Sequence, residues 1–340
     1  MFLKNTWYAA AWGQEVGREL LQRWVTGEPI VLYRTEAGEP VALEDRCPHR
    51  RFALSKGTLK GDAIQCGYHG LVFDCGGKCT HIPGQANIPP RLRVRTYPIA
   101  ERWKLVWVWM GDPEAADESL IPAFPWLDDP DDWRPVTGTV HMDAHYQLLV
   151  DNLLDLTHET FVHKNTIGNF AVAETPMTVK IEEPNVHVER VMRDIPAPPL
   201  FEKVRGFKDN IDRWQIIDFL PPSNIVIDAR AVPAGTNDLD RGLRWHVINS
   251  ITPENESSCN YFWSVSRCFE LENETIDTLI EDQIIATFME DKGVLETQQH
   301  MIETDDPDRR IYDINADAGA VAARRIVKKL IEGERAAAAN

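Results

Sequence analysis

"RCPHRRFALSKGTLKGDAIQCGYHG", residues 46–70, contains two cysteine–histidine pairs of unequal spacing. One residue separates Cys47 from His49, two separate Cys66 from His69, and sixteen lie between the pairs. Zinc knuckles usually pair their ligands as C-x2-4-C or H-x3-5-H, which Cys47-Pro-His49 fits badly. A two-iron cluster can instead take one thiolate and one imidazole from each of two loops, so that sulfur collects on one iron and nitrogen on the other. The stretch therefore predicts a two-iron cluster, with a zinc site as the alternative.

Whole-chain properties narrow the classes of protein to consider. The 340 residues are 43% hydrophobic, which is enough for roughly two domains. A net charge of −17 makes nucleic acid and anionic membrane surfaces poor partners. There is no apolar run of the ~20 residues that a membrane span needs, and the N-terminus lacks the features of a signal peptide. We therefore expect a cytoplasmic protein whose six cysteines are thiols or metal ligands.

The predicted secondary structure changes along the chain. Up to about residue 111 it consists of short strand patterns between Gly and Pro, such as "GEPIVLYRT" and "RWKLVWVWMGDP". A segment rich in Pro and Asp follows over 112–135. After it, strand patterns alternate with helical ones, including "YQLLVDNLLDLTHETFVH" and a long late helix at 274–300. We predict an α+β protein with an N-terminal all-β domain at 1–130 and a C-terminal domain at 131–340, in which helices flank an antiparallel sheet.

A second group of metal-ligand residue types lies in "DNLLDLTHETFVH", residues 151–163. His158 and His163 are five residues apart, about 140° around an ideal helix, so both can bind one ion only if the helix bends or ends. Asp155 precedes His158 by three residues and could touch or orient it. Taken alone this pattern is weak, because surface or packed histidines produce it equally well.

The two motifs together resemble those of the Rieske non-haem iron oxygenases. "CPHR" and "CGYHG" match the motif of the Rieske [2Fe-2S] cluster. The resemblance implies that Cys47 and Cys66 ligate one iron, and that His49 and His69 ligate the other. A protein with this cluster alone would only transfer electrons, which would leave about 230 following residues unexplained.

D-x2-H-x4-H resembles the family's mononuclear Fe(II) site, which implies that His158 and His163 are two ligands of a 2-His-1-carboxylate triad. In the family the third ligand is an Asp on a late helix, and "FMEDKGVLE" matches that setting at Asp291. Glu290 is the adjacent competitor. Neighbouring helix residues point ~100° apart, so only one of the two can face the site, and Asp291 is favoured.

Further stretches, among them "FLKNTWYAAAW", "DRWQIIDFLPPS" and "NADAGAVAARRIV", extend the resemblance over nearly the whole chain. They are similar to the vanillate O-demethylase branch of the family. This implies a terminal monooxygenase that uses O2 to demethylate a methoxylated aromatic acid, releasing formaldehyde and a phenol. Ring or side-chain hydroxylation of another substituted aromatic is the alternative reaction. The residues that bind the substrate are not identifiable from the sequence.

The resemblance also implies partners. Because the chain has no G-x-G-x-x-G or other nucleotide fingerprint, the electrons must come from a separate NAD(P)H-dependent flavin and iron-sulfur reductase. In the family the subunits form a head-to-tail homotrimer in which an aspartate bridges two histidines. Here this implies that Asp155 links His158 to His69 of the partner subunit.

Overall fold

The computed structural model of the chain describes residues 1–306 and 308–338, which fall into two compact units. The first comprises Met1–Ala123 together with Thr252–Asn255. The second comprises Phe124–Ile251 and the described residues from Glu256 onward. Among the described residues, no helix has both the length and the apolar character needed to cross a membrane.

The first unit is built from ten short strands and 3-10 turns, as predicted. They form three sheets of antiparallel pairs, ordered β1-β10-β9, β2-β3-β4 and β5-β6-β7-β8. The strands are β1 (Thr6–Trp12), β2 (Leu21–Val25), β3 (Glu28–Arg34), β4 (Pro40–Glu44), β5 (Thr58–Lys60), β6 (Ala63–Gln65), β7 (Val72–Phe73), β8 (Cys79–His81), β9 (Ile99–Arg102) and β10 (Leu105–Met110).

Two buried apolar clusters hold this unit together. One packs on a single face of β10 through Val106, Val108 and Met110. All six residues of this strand, "LVWVWM", are buried, and it lies in the centre of its sheet. The other includes Leu54, Ile64 and Phe73 together with Cys47 and Cys66. The two cysteines of the predicted cluster thus belong to a packed core.

The second unit is one seven-stranded sheet with helices, ordered β11-β17-β16-β15-β14-β13-β12. Its strands are β11 (Arg134–Met142), β12 (Thr178–Glu182), β13 (Asn185–Ile195), β14 (Ile211–Leu220), β15 (Asn224–Pro233), β16 (Leu243–Asn255) and β17 (Ser258–Arg267). Its helices are α1 (Tyr146–Leu154), α2 (Phe170–Glu174), α3 (Pro199–Arg205), α4 (Glu274–Thr304) and α5 (Ala318–Ala338). An all-β unit followed by a sheet with helices confirms the predicted α+β class.

One face of the large sheet and one stripe of α4 are buried. Along β14 every second residue from Arg213 to Phe219 is buried, as expected for a strand with one covered face. The buried residues of α4 include Ile280, Ile284 and Phe288, spaced by one helical turn. The same stripe continues to Asp291, which places a carboxylate on the buried side of the helix.

The predicted helical run at 146–163 ends earlier than its pattern indicates. α1 stops at Leu154, and Asp155 adopts an extended conformation (φ −123°, ψ 94°). The Asp155 carboxylate then accepts a hydrogen bond from the Thr157 N–H at 2.8 Å and caps a 3-10 turn over Leu156–Thr160. The helix therefore ends before His158, which removes the geometric conflict between the two histidines.

Candidate functional site

The two predicted cluster loops have the same backbone hydrogen-bond pattern. In each, the cysteine N–H donates to the carbonyl five residues later, and the cysteine carbonyl accepts from the N–H four residues later. These distances are 2.8 and 2.7 Å in the loop of Cys47, and 2.8 and 3.0 Å in the loop of Cys66. The residue four after each cysteine has positive φ, 58° at Arg51 and 72° at Gly70. A left-handed residue in each loop turns the chain back toward its cysteine.

The side chains of these loops separate sulfur from nitrogen. Cys47 and Cys66 are each only 2% exposed, whereas His49 and His69 are exposed, with ring centroids 4.5 Å apart. Burial, together with the neighbouring Cys66 thiol, raises the pKa of Cys47 to about 11. A thiolate in this position therefore needs a cation beside it, as a metal ligand has. Two buried sulfurs below two exposed imidazoles fit the donor set of a Rieske [2Fe-2S] cluster.

Asp45, at the base of the first loop, is a supporting residue that sequence reasoning missed. Its buried carboxylate accepts hydrogen bonds from the Ser55 N–H at 2.6 Å, from the Ser55 hydroxyl at 2.7 Å and from the Gln22 amide. Since Asp45 and Ser55 flank the loop of Cys47, these bonds tie its two ends together.

In the second unit, His158, His163 and Asp291 converge. Oδ1 of Asp291 lies 3.0 Å from Nε2 of His163 and 3.5 Å from Nε2 of His158. One possible ligand atom from each of the three residues lies within 4.8 Å of the other two. Ligand atoms ~2.1 Å from one ion and at right angles are ~3.0 Å apart, so this arrangement suits a single ion. Two imidazoles and a carboxylate with open positions are the ligand set of non-haem Fe(II) oxygenases.

The other nitrogen of each ring is also occupied. Nδ1 of His158 lies 2.7 Å from the carbonyl oxygen of Asp155, and Nδ1 of His163 lies 2.8 Å from Oε2 of Glu290. Both Nδ1 atoms face acceptors and donate to them, so a bound metal would be held by Nε2 of each ring. Asn152 also donates to Asp291 Oδ1 at 3.2 Å.

Glu290 therefore contacts His163 on its Nδ1 side, away from Nε2, where Asp291 lies. Burial lowers the pKa of His163, but Asp291 and Glu290 outweigh burial and raise it above its ordinary value. Two carboxylates around one imidazole give the site a negative charge, which favours a bound cation.

The Asp155 carboxylate does not contact the His158 ring, because the backbone carbonyl of Asp155 does so instead. The carboxylate is partly exposed, and its Oδ1 lies 4.0 Å from Nη2 of Arg190. It is therefore accessible at the surface of the unit. The predicted bridge to His69 of the partner subunit stays a prediction.

Gly168 closes the loop that holds His163. Its N–H donates to the His163 carbonyl at 2.9 Å. A Cβ at this position would lie 2.2 Å from the carbonyl oxygen of Glu159 and 2.8 Å from that of His163, closer than any side chain tolerates. The backbone around the histidines thus packs closely enough to require glycine.

The three converging side chains line a cavity. Apolar side chains from the buried sheet face, α1, α3 and α4 form most of its wall. A mostly apolar wall with a few polar groups suits an apolar ligand such as an aromatic ring. The apolar lining residues are Leu153, Leu156, Ile167, Phe201, Ile227, Ala229, Trp245, Val247, Ile284 and Phe288.

A polar group that sequence reasoning missed also lines the cavity. Glu159 accepts hydrogen bonds from Arg213 Nη2 and from Gln215 Nε2, both at 2.9 Å. All three side chains are buried. A signal was present in "IDRWQIIDFL", where the strand period places Arg213 and Gln215 on the same face as Ile217.

Family models match both units of the chain. Residues 6–98 match the Rieske [2Fe-2S] domain, and residues 142–333 match the vanillate O-demethylase oxygenase C-terminal domain. The predicted cluster loops lie inside the first match, and the converging His158, His163 and Asp291 lie inside the second.

Characterised relatives are similar over almost the entire chain. The vanillate O-demethylase oxygenase subunit of Pseudomonas sp. (strain HR199 / DSM 7063) is 37% identical, over 99% of this chain and 97% of the relative. The toluene-4-sulfonate monooxygenase system iron-sulfur subunit of Comamonas testosteroni is 36% identical, over 98% of each. Dicamba monooxygenase bound to 3,6-dichlorosalicylic acid superposes with a TM-score of 0.92 at 34% identity, covering 98% of this chain and 99% of that chain. The same enzyme with non-heme iron and dicamba superposes with a TM-score of 0.84 at 33% identity, with the same coverage of both chains.

Proposed function

Because this chain belongs to the Rieske non-haem iron oxygenases of the vanillate O-demethylase type, we propose that it is the terminal oxygenase of a multicomponent monooxygenase. Its substrate is a methoxylated aromatic acid such as vanillate, which it O-demethylates. The observation that carries this proposal is the convergence of His158, His163 and Asp291 on the wall of a mostly apolar cavity. Relatives named as vanillate and dicamba O-demethylase oxygenase components support the reaction type.

The residues of the first unit suit electron transfer. We assign Cys47 and Cys66 to one iron of a [2Fe-2S] cluster, and His49 and His69 to the other. The buried thiolates anchor the cluster in the core, while the exposed imidazoles place its second iron at the surface. That edge is the side from which an electron can leave.

In the second unit, His158, His163 and Asp291 would hold one Fe(II), oriented by the Asp155 carbonyl, Glu290 and Asn152. The bound metal centres supply the activation of O2 with two electrons and two protons, and the net change converts an aryl methyl ether into a phenol, formaldehyde and water. The chain binds the aromatic ring in its apolar cavity, excludes water from it and presents the methoxy group to the open side of the triad.

The electrons come from a separate NAD(P)H-dependent flavin and iron-sulfur reductase, since the chain has no nucleotide-binding fingerprint. In a head-to-tail homotrimer, Asp155 would connect His158 with His69 of the partner subunit. The partial exposure of the Asp155 carboxylate supports this role, because a buried group could not reach across a subunit boundary.

The test combines analysis of the metal centres with a product assay. Purified protein should contain roughly three irons and two sulfides per chain, with a Rieske-type EPR signal on reduction. With a generic reductase, NADH and O2, it should release formaldehyde from one or more members of a panel of methoxybenzoates. An Asp291→Ala variant should lose formaldehyde release and one iron while keeping two irons and two sulfides. Retention of three irons would contradict the assigned ligand.

Side-chain or ring hydroxylation is the second candidate, favoured by the 36% identity to the toluene-4-sulfonate monooxygenase subunit. The same assay separates the two reactions. A hydroxylated product from a methyl-substituted arene, without formaldehyde from any methoxybenzoate, would replace demethylation by hydroxylation.

A further inference from the structure

We propose that Arg213 binds the anionic group of the substrate inside the cavity, and that the substrates of this chain are therefore aromatic carboxylates or sulfonates. The inference rests on the proposed function in one respect only, namely that an aromatic molecule occupies this cavity. It assigns a specificity residue that neither of the sequence motifs contains.

Arg213 is the one lysine or arginine among the described residues that line the cavity, and it is only 3% exposed. Its Nη1 donates to the Ile167 carbonyl at 3.2 Å, and its Nη2 donates to Glu159 at 2.9 Å. Its Nε is buried and has no hydrogen-bond partner. A guanidinium carries five N–H groups, and a buried one without an acceptor is costly, so a ligand oxygen beside Arg213 would relieve that cost.

Three uncharged polar side chains of the cavity are already hydrogen-bonded. The Gln215 amide donates to Glu159. The Asn249 side chain donates to the Ile225 carbonyl and accepts from the Tyr261 hydroxyl. The Thr287 hydroxyl donates to a carbonyl of its own helix, that of Gln283. Among the described lining residues, Nε of Arg213 is the one fully buried side-chain donor atom without a hydrogen-bond partner.

The charges of the surrounding side chains favour an anion over a neutral ligand. The guanidiniums of Arg213 and Arg190 are both buried, and Gln215 connects them by accepting from Arg190 at 3.4 Å while donating to Glu159 at 2.9 Å. Glu159 is the one fully buried carboxylate in this group, because the carboxylate of Asp155 is partly exposed and 4.0 Å from Arg190. Away from Asp291, whose charge a bound metal would offset, the two buried guanidiniums thus outnumber the one fully buried carboxylate, and a substrate anion would balance them.

The position of Arg213 also suits substrate orientation. The Phe201 ring, which lines the cavity, lies 5.0 Å from the guanidinium carbon, so it fixes the side chain from one face. Glu159 directly follows His158 in the chain, which places the Arg213–Glu159 pair beside a residue of the iron site. An aromatic acid held at Arg213 would therefore have one end fixed relative to the metal ligands.

The test measures binding rather than turnover, by calorimetry on the oxidised protein. The probes are two isosteric pairs: 3-methoxybenzoate with 3-methoxybenzamide, and 4-toluenesulfonate with 4-toluenesulfonamide. A single change at Arg213 would leave Glu159 buried without its partner and could prevent folding. The variant is therefore Glu159→Gln/Arg213→Gln, which removes both charges, and its comparison is Glu159→Gln, which keeps the cation.

Wild-type protein should prefer the anion of at least one pair, and the carboxylate and sulfonate arms tell which anion is accepted. The double variant should lose roughly tenfold or more of anion affinity while amide affinity changes little, as expected for a lost charge-assisted hydrogen bond. Glu159→Gln should bind the anion at least as tightly as wild type, because it removes a competing carboxylate.

Equal weakening of anion and amide in the double variant would show a merely structural role and overturn the proposal. So would a wild type that binds both amides as tightly as the anions, or one that binds none of the four probes. The formaldehyde assay separates this result from the proposed function. Anion binding that depends on Arg213, without formaldehyde release, would contradict only the proposed demethylation. Formaldehyde release without a preference for the anion would contradict only the role of Arg213.

Discussion

Oε2 of Glu290 lies 2.8 Å from Nδ1 of His163, on the opposite side of the imidazole from the metal-facing nitrogen. Glu290 thus contacts one nitrogen of the His163 ring, while the next residue, Asp291, approaches Nε2 of the same ring at 3.0 Å. Two consecutive residues of α4 therefore hold both ends of one histidine.

Replacement of Glu290 should weaken iron binding without abolishing the fold. A carboxylate behind a ligating histidine fixes the ring orientation and raises its basicity, and loss of such a group typically costs 10–100-fold in metal affinity. Glu290→Ala should show a loss of about this size in Fe(II) titrations, and Glu290→Gln a smaller one, because the amide oxygen can still accept.

Asp282 provides the matched control for this experiment. It is an exposed acid on the same helix, so Asp282→Asn should leave iron affinity unchanged. If Glu290→Ala bound iron as tightly as that control, the orienting role of Glu290 would be wrong.

Asp155→Asn should separate metal loading from turnover. Its carbonyl, not its carboxylate, contacts His158, and an asparagine can still cap the 3-10 turn by accepting from Thr157. Both metal sites should therefore stay loaded. Turnover should fall roughly tenfold or more if the carboxylate joins two subunits through charged hydrogen bonds. Rapid-mixing absorbance of the reduced cluster, with iron analysis of the same sample, measures both quantities.

Asp155→Ala is the informative second arm, because alanine removes the cap as well as the charge. It should cost about 1 kcal/mol of stability in addition to turnover. Full coupled activity of Asp155→Asn would remove the bridging role, and loss of iron in that variant would show that the carboxylate supports His158 in a way the structure does not indicate.

Six of the seven proposed ligand residues lie within short local motifs, whereas Asp291 lies 128 residues after His163 and was indicated by the family resemblance. Cys47 to His69 and Asp155 to His163 each span fewer than about 25 residues, so spacing alone constrains them. The buried polar group of the cavity wall, Glu159 with Arg213 and Gln215, could not be predicted in this way. Glu159 and Arg213 are separated by 54 residues, and only the folded sheet brings them together.

A strand could be predicted where its residue types and its two-residue alternation of buried and exposed positions agreed. β14, β15, β16 and β17 follow apolar or alternating patterns, whereas the sequence of β13 shows no such clear pattern. Its buried face reads Val186, Val188, Arg190 and Met192, so a charged residue interrupts the apolar alternation. That arginine is buried because partners from distant segments, such as Gln215 and Thr157, accept its hydrogen bonds. Tertiary pairing of this kind overrides local pattern.

Gly168→Ala should destabilise the protein and weaken iron binding together. The added methyl would meet the backbone carbonyls of Glu159 and His163, which cannot move without displacing the iron site. Overpacking of this type costs about 1–3 kcal/mol. Gly293→Ala is the control, since nothing lies within 4 Å of its Cβ position on α4, and alanine should stabilise that helix by up to about 1 kcal/mol. Thermal unfolding with iron analysis distinguishes them, and equal behaviour of the two variants would contradict the packing argument.

His246 should make the protein less stable as the pH falls from about 6.5 to about 4. The ring stacks on Trp126 at 4.4 Å and makes a tilted contact with Trp133 at 4.6 Å, and its Nδ1 is buried without a hydrogen-bond partner. Burial lowers the pKa of His246 to about 4, against the opposing effect of Asp228 and with smaller contributions from Arg244 and Arg230. Its ordinary value is about 6.5, so in this window the unfolded chain binds a proton that the folded chain does not.

The stability lost through His246 should reach roughly 3 kcal/mol when the pH has fallen to 4, and it should be absent above pH 6.5. His246→Phe keeps an aromatic ring between the two tryptophans and cannot titrate. As the pH is lowered, the unfolding free energy of the variant should therefore decrease less than that of wild type. Denaturant unfolding at pH 7, 6, 5 and 4 measures this shift, because the acid sensitivity of the metal sites is common to both proteins and cancels. His300→Gln, at an exposed position on α4, should run parallel to wild type. If the unfolding free energy of His246→Phe also had the same pH dependence as wild type, the buried ring would not resist protonation.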